Sequence, residues 1–170
     1  MDAGSGVYSI TMSEVERATQ TLIAAFEEDD YIRFVCGTGE LSIPRKHAFF
    51  SSIIKYCIRY GKAYRTADFE SVACRKLPGD TRFTLWRMFR SGMLKLPGVL
   101  GKEKFGQFLT VSQKLDELVA RQMGSRKFLY CLTLGTRPEK QRQGYGGQLM
   151  RETFGFARSL GVPCYLPTFT

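Results

Sequence analysis

The run Phe128-Leu129-Tyr130-Cys131-Leu132-Thr133-Leu134 constrains this chain most: it is almost wholly apolar or β-favouring and has no helical period. Such a run suits a central strand buried on both faces. A glycine-rich stretch with Gly144, Gly146 and Gly147 follows it. Leu149, Met150, Thr153, Ala157 and Leu160 then line one side of a helix that Gly161 stops, and Pro163-Cys164-Tyr165-Leu166 starts another strand. The order strand, glycine-rich turn, amphipathic helix, strand is a βαβ unit.

Upstream the spacing predicts more of a mixed α/β domain. Residues 7–11 read as a short strand. Ser13-Glu14-Val15-Glu16 has the form of a capping box and opens a helix with Val15, Ala18, Leu22, Ala25 and Phe26 on one face. The acidic run Glu27, Glu28, Asp29, Asp30 follows, ending that helix or lying just beyond it. A second helix is expected from Pro44 to Gly61, with Phe50, Ile53, Ile54, Cys57 and Ile58 at helical spacing. Residues 63–67 and 71–77 read as a hairpin around Asp68 and Glu70. Residues 83–123 are mainly helical, with Leu96-Pro97-Gly98 as a turn; Phe105, Phe108, Leu109, Leu115, Leu118 and Val119 form a core-packing stripe. One domain over residues 1–170 is the reading, without repeats or linkers.

Composition narrows the class. Hydrophobic residues make up 44% of the chain, enough for one core, and mean hydropathy is -0.19. No segment has the apolar length of a membrane span, and the first six residues lack the pattern of a secretory signal, so a cytoplasmic location without membrane partners is expected. The five cysteines, Cys36, Cys57, Cys74, Cys131 and Cys164, are scattered, and His47 is the one histidine. Neither a zinc site nor a disulfide framework fits, and the cysteines read as core residues. The net charge of +9 points to an anionic partner without identifying it. Interleaved basic and aromatic motifs of RNA-binding folds are lacking, so a nucleic-acid module ranks last.

Chemistry concentrates in Pro138-Glu139-Lys140-Gln141-Arg142-Gln143-Gly144-Tyr145-Gly146-Gly147-Gln148-Leu149. A turn between strand and helix aims free N–H groups, and about half an elementary positive charge from the helix dipole, at one spot. Glycines there let phosphate oxygens approach the main chain, and Lys140 and Arg142 add charge at the rim. A P-loop is disfavoured because neither lysine nor a hydroxyl residue follows Gly147. A dinucleotide fingerprint is disfavoured because Leu149 stands where its third glycine would be.

Gln141-x-x-Gly144-x-Gly146 resembles the Q/R-x-x-G-x-G/A signature of the GNAT N-acetyltransferases. The setting resembles them too: a long strand, Pro138, the loop, a helix ending Ala157-x-x-x-Gly161-Val162-Pro163, and a strand. The upstream order looks like that of the puromycin N-acetyltransferase-like members. The resemblance implies a mixed central sheet flanked by helices, with acetyl-CoA as cosubstrate, a small-molecule primary amine as acceptor and no metal. It further implies pyrophosphate held by the main chain of Gln141, Arg142, Gln143, Gly144, Tyr145, Gly146 and Gly147. Pantetheine would lie along Leu134, Gly135 and Thr136 in a notch between two splayed parallel strands. A backbone N–H near Leu134 would polarise the thioester carbonyl during direct attack by a neutral amine.

No catalytic acid or base is assignable from the residues. By the resemblance, Glu27, Glu28, Asp29 and Asp30 border the acceptor site, and Tyr165 and Thr168 lie on the second splayed strand. His47 is expected to be structural or exposed. Relatives continue into an N-x-x-x-Y-x-x-x-G-F segment and two further strands, whereas this sequence stops at Leu166-Pro167-Thr168-Phe169-Thr170, and Pro167 replaces a glutamate. The expectation is therefore a domain short of its last strands, with a homodimer as one way to cover an open edge. The competing reading is a CoA-binding protein without turnover.

Overall fold

The computed structural model describes residues 6–79 and 84–167. In chain order these form β1 (Val7–Ser9), α1 (Val15–Ala25), α2 (Asp30–Cys36), α3 (Ser42–Tyr60), β2 (Gly61–Thr66), β3 (Ser71–Lys76), α4 (Leu85–Ser91), α5 (Leu96–Leu100), α6 (Lys102–Met123), β4 (Leu129–Thr136), α7 (Tyr145–Ser159) and β5 (Cys164–Tyr165). The expected mixed α/β architecture is present. One sheet runs in the order β1-β2-β3-β4-β5, antiparallel through β4 and parallel at the last pairing.

Each element follows from local chemistry, with corrections to the expected boundaries. The capping box before α1 lies two residues earlier than read: the Glu14 carboxylate accepts from the Thr11 N–H and hydroxyl, both at 2.9 Å. Both frames satisfy the pattern, and the fold selects one. Arg65 of β2 reaches Glu14 at 2.6 Å, while Glu16 accepts from Gln20 and meets His47. The acidic run opens α2, which was not foreseen. Asp29 accepts the Ile32 N–H at 2.9 Å as its N-cap, and Ile32, Val35 and Cys36 are buried.

At the end of α3 the chain turns directly into β2. A Cβ on Gly61 would stand 2.3 Å from the Arg75 carbonyl oxygen, so only glycine permits this join. Leu96-Pro97-Gly98 is not a turn but lies in α5, with Pro97 tolerated in the first helical turn; the breaks fall at Gly92 and Gly101. On α6, Val119 and Met123 are buried and Phe105 and Phe108 partly so, but Leu109 and Leu118 are exposed, so the expected stripe is only partly core.

The main core lies between α1, α3 and one sheet face, where Leu22, Phe50, Ile54, Val72 and Cys74 are buried. On the other face α7 buries Leu149, Thr153 and Ala157. Arg75 is also buried there, sandwiched between Tyr64 and Phe156 at 4.3 and 4.8 Å from their ring centres. Its guanidinium has no hydrogen bond among the described residues, and Glu152 stands 4.0 Å away.

Candidate functional site

The last two strands part almost as soon as they meet. β5 pairs with β4 only at Leu129↔Cys164 and Tyr130↔Tyr165, so beyond Tyr130 no described strand covers that edge of β4. This corrects the expectation of a strand buried on both faces: Leu129, Cys131, Thr133 and Gly135 are buried, and Tyr130, Leu132, Leu134 and Thr136 only half so. Pairing with β3 jumps from Cys74↔Thr133 to Arg75↔Cys131, which makes Leu132 an extra residue. Such a bulge bends and twists its strand, and here it does so where β4 leaves β5.

Hydrogen bonds fix which groups face the open edge. The Gly135 carbonyl accepts from Ser71 of β3 at 3.0 Å, and the Arg137 N–H donates to Glu70 at 2.9 Å, so residues 135 and 137 turn toward β3. Neighbouring residues alternate, so Leu134 and Thr136 present their N–H and C=O groups to the open side. The Gln141 side chain donates to the Thr136 carbonyl at 3.3 Å, in agreement. Gly135 instead packs on α1: a Cβ there would lie 2.8 Å from Ala25 Cβ and 2.9 Å from Phe26 Cε2.

The loop joins this edge directly. A Cβ on Gly146 would fall 3.1 Å from Thr136 Oγ1 and 3.5 Å from Leu134 Cδ2, so the first turn of α7 sits on the end of β4. Arg142 and Gly144 have φ of 60° and 92°. At 144 a side chain would be strained, and the space where a Cβ would stand is open. The N–H groups of Arg142, Gln143, Gly144, Tyr145, Gly146 and Gly147 have no backbone acceptor among the described residues; the next, Gln148, donates to Gly144. Gln143 braces the loop by donating to the Glu139 carbonyl at 3.1 Å. Together these groups form a band of donors from the β4 edge to the positive end of α7.

The acidic turn between α1 and α2 is largely engaged. Glu27 holds the buried ammonium of Lys46 at 3.0 Å, Glu28 pairs with Arg33, and Asp29 caps α2. His47 lies on α3, partly exposed, 2.8 Å from Glu16. Tyr165 stacks on Tyr130 with ring centres 5.7 Å apart, and Phe128 lies about 6 Å from both. Burial above all, then the Asp116 carboxylate and the Tyr165 hydroxyl, push the Tyr130 hydroxyl up to about 12. Tyr31 of α2 is raised further, again chiefly by burial, and hydrogen-bonds Ser112 of α6. Tyr31 and Asp116 belong to no motif; the packing of α2 and α6 brings them to the sheet. Thr168 lies outside the described residues.

No cysteine forms a disulfide: four are buried, Cys164 partly, Cys57 and Cys74 hydrogen-bond each other, and burial raises Cys36, Cys131 and Cys164. Among the described residues no cluster of three or more His, Cys, Asp or Glu side chains is placed to hold a metal ion, and no helix is long and apolar enough to cross a membrane.

No protein-family model and no curated protein matches the sequence. Solved structures match the fold. A histone acetyltransferase HPA2-related acetyltransferase from Corynebacterium glutamicum is 17% identical with a TM-score of 0.61, over 89% of this chain and 70% of its own. An agmatine N-acetyltransferase in its apo form is 16% identical with a TM-score of 0.60, over 92% and 71%. A Drosophila melanogaster polyamine N-acetyltransferase, which catalyses formation of N-acetylagmatine, is 15% identical with a TM-score of 0.63, over 96% and 76%. The chain thus has the GNAT acetyltransferase fold.

Proposed function

We propose that this chain is an acetyl-CoA-dependent N-acetyltransferase acting on a primary amine of a small molecule. One observation carries the reading: the N–H groups of Leu134 and Thr136 on the open edge of β4 lie beside a loop whose six N–H groups, from Arg142 to Gly147, have no backbone acceptor among the described residues. A ligand suited to that band has a strand-like amide arm followed by a polyanion, which is the chemistry of pantetheine and pyrophosphate. Lys140, Arg142 and Arg151 add positive charge around the loop. The loop's part falls to the main chain of residues 141–147. On β4, Leu134 and Thr136 contribute the polar groups, and Gly135 contributes its missing side chain, which lets α1 seat closely.

In the proposed reaction a neutral amine attacks the thioester carbonyl directly, an amide C–N bond forms as the C–S bond breaks, and CoA leaves as a thiolate that takes up a proton. The chain's tasks are to align the two reactants, donate an N–H from the Leu134 region to the developing oxyanion, and accept the amine proton. Glu27 is poorly suited to the last task because it neutralises Lys46, which is only 3% exposed. The likeness of fold to amine N-acetyltransferases supports amine acetylation, and the order of the upstream elements supports a puromycin N-acetyltransferase-like subtype.

Thermal unfolding with acetyl-CoA tests the reading. A ligand at about a hundredfold its Kd stabilises the folded state by about 2.7 kcal/mol, a clear rise in Tm. Gly144→Asp should abolish the rise, because it sets a carboxylate and a Cβ into the anion site at a φ that disfavours side chains. No shift with the wild-type chain at millimolar ligand, or an undiminished shift in a folded Gly144→Asp variant, would overturn it.

A further inference from the structure

Outside the candidate site, α4 and the turn that follows it leave much apolar surface in water. Leu85, Trp86 and Phe89 are 76%, 63% and 62% exposed, and Leu94 and Val99 further along are exposed as well. Trp86 and Phe89 stack with ring centres 6.0 Å apart, so the two rings form one face. Rings of this kind hold about 150–250 Å² each, which leaves roughly 200–300 Å² of aromatic surface open to solvent. With Leu85, one turn from Phe89, the face reaches the size of the largest apolar patch on a typical monomer.

This face is held from behind. Met88 packs against the main core, and the buried Ser91 donates its hydroxyl to the Arg87 and Met88 carbonyls at 2.9 and 3.1 Å. Arg87 lies over the Tyr60 ring at the end of α3, 4.8 Å from its centre, and Gly92 closes the helix with a φ of 83°. With the inward positions taken, Leu85, Trp86 and Phe89 stay outside. Charge around them has one sign: from Leu85 to Gly101 the sequence carries Arg87, Arg90 and Lys95 and neither Asp nor Glu. Arg90 and Lys95 are exposed, and Arg90 stands 5.8 Å from the centre of the Trp86 ring.

A partner for this face needs an apolar layer beneath an anionic boundary. An anionic lipid surface has that order, with acyl chains below and headgroup anions above, and it favours Trp at the boundary and Arg and Lys at the headgroups. Side chains this exposed stand out from the surface instead of lining a groove, so the partner must yield to them, as a lipid layer does. We propose that the α4 face docks the protein on anionic membrane surfaces, with Trp86 and Phe89 inserted and Arg90 and Lys95 at the headgroups. No described helix can cross a membrane, so the contact is peripheral. It departs from the expectation, drawn from composition, of a chain without membrane partners, and it is independent of the acetyltransferase reading.

Trp86 is the only tryptophan of the chain, so its emission reports on this face alone. The full chain is titrated with vesicles of phosphatidylcholine and, separately, of about three parts phosphatidylcholine to one part phosphatidylserine, and binding is followed by fluorescence and by sedimentation. Wild type should sediment with the anionic vesicles, shift its emission to the blue, and bind the neutral vesicles weakly. Phe89→Ser should weaken binding about tenfold and Arg90→Gln about fivefold, the usual weights of a largely buried ring and of one basic residue near such a surface. Both side chains are exposed, so both variants should fold, and an unchanged circular dichroism spectrum verifies this. No binding to the anionic vesicles, or equal binding to both kinds, overturns the proposal. Sedimentation with unchanged Trp86 emission, or undiminished binding by either variant, overturns it by moving the contact to another surface of this chain of net charge +9. A blue shift that grows with protein concentration in the absence of vesicles assigns the face to a second copy and overturns it equally.

Discussion

Gly135→Ala should destabilise the protein by a predictable amount and through one helix. The added Cβ would lie 2.8 Å from Ala25 Cβ, 2.9 Å from Phe26 Cε2 and 3.0 Å from Leu22 Cδ2. Carbon atoms prefer about 3.5–4.0 Å, so all three contacts are too short by roughly half an ångström or more. Ala25 Cβ is fixed to the backbone of α1, and the Leu22 and Phe26 side-chain ends can shift only against the core they pack in, so the nearest clash has no flexible tip to absorb it. Overpacking of this kind costs about 1–3 kcal/mol, and three simultaneous clashes put it near 3. Alanine recovers about 0.5–1 kcal/mol over glycine in a strand, which leaves a net loss of about 2 kcal/mol. Urea unfolding measures the loss. Ala25→Gly removes the nearest clash, so the double variant should recover about 1 kcal/mol relative to the sum of the single variants. A loss below about 0.5 kcal/mol, or strict additivity, would refute the contact between β4 and α1 as the cause.

Arg75→Met should leave stability within about 1 kcal/mol of wild type or raise it, because the guanidinium forms no hydrogen bond among the described residues and a flexible apolar chain suits the gap between Tyr64 and Phe156. Glu152→Gln should instead cost about 1–2 kcal/mol by leaving that cation without its carboxylate, less than a fully buried pair because Glu152 is partly exposed. A reversed order in urea unfolding contradicts both. Glu70 is buried; its burial raises its pKa, but hydrogen bonds from Thr66 and from backbone N–H groups outweigh that and lower it below 4.5. Its contribution is therefore complete above the unfolded value and fades as pH falls through the lower folded value. Glu70→Gln should cost about 1–3 kcal/mol near neutral pH, and the gap to wild type should narrow in acid. A gap that is constant with pH would show that ionised Glu70 is not the source. Glu27→Gln should destabilise the chain by about 1–2 kcal/mol by leaving Lys46 buried without its anion, and Lys46→Met should offset much of this in the double variant; simple additivity would deny the pairing.

The βαβ unit was legible because its signals are local. An apolar β-favouring run, three glycines and a helical stripe specify strand, turn and helix before any packing occurs, and free N–H groups at a helix start follow from helix geometry alone. The cysteines as core residues and the β2–β3 hairpin were equally legible. α2 had a readable signal in Asp29 followed by Ile32, Val35 and Cys36, masked by the charge of the run that contains it. Choosing between the Thr11 and Ser13 capping frames required Arg65 and His47, which arrive from β2 and α3. The open edge could not be read from the residues themselves; only the resemblance implied a notch between splayed strands. Whether β4 stays paired depends on the bulge at Leu132 and on a β5 contact of two residues, and both are set by how neighbouring strands register. The sequence by itself determined the glycine-bearing strand-to-helix turn with its free N–H groups, since that needs only local signals. Tertiary structure alone decided which polar groups of β4 remain free, and that Tyr130 and Tyr165 stack, because pairing and packing join residues that are far apart along the chain.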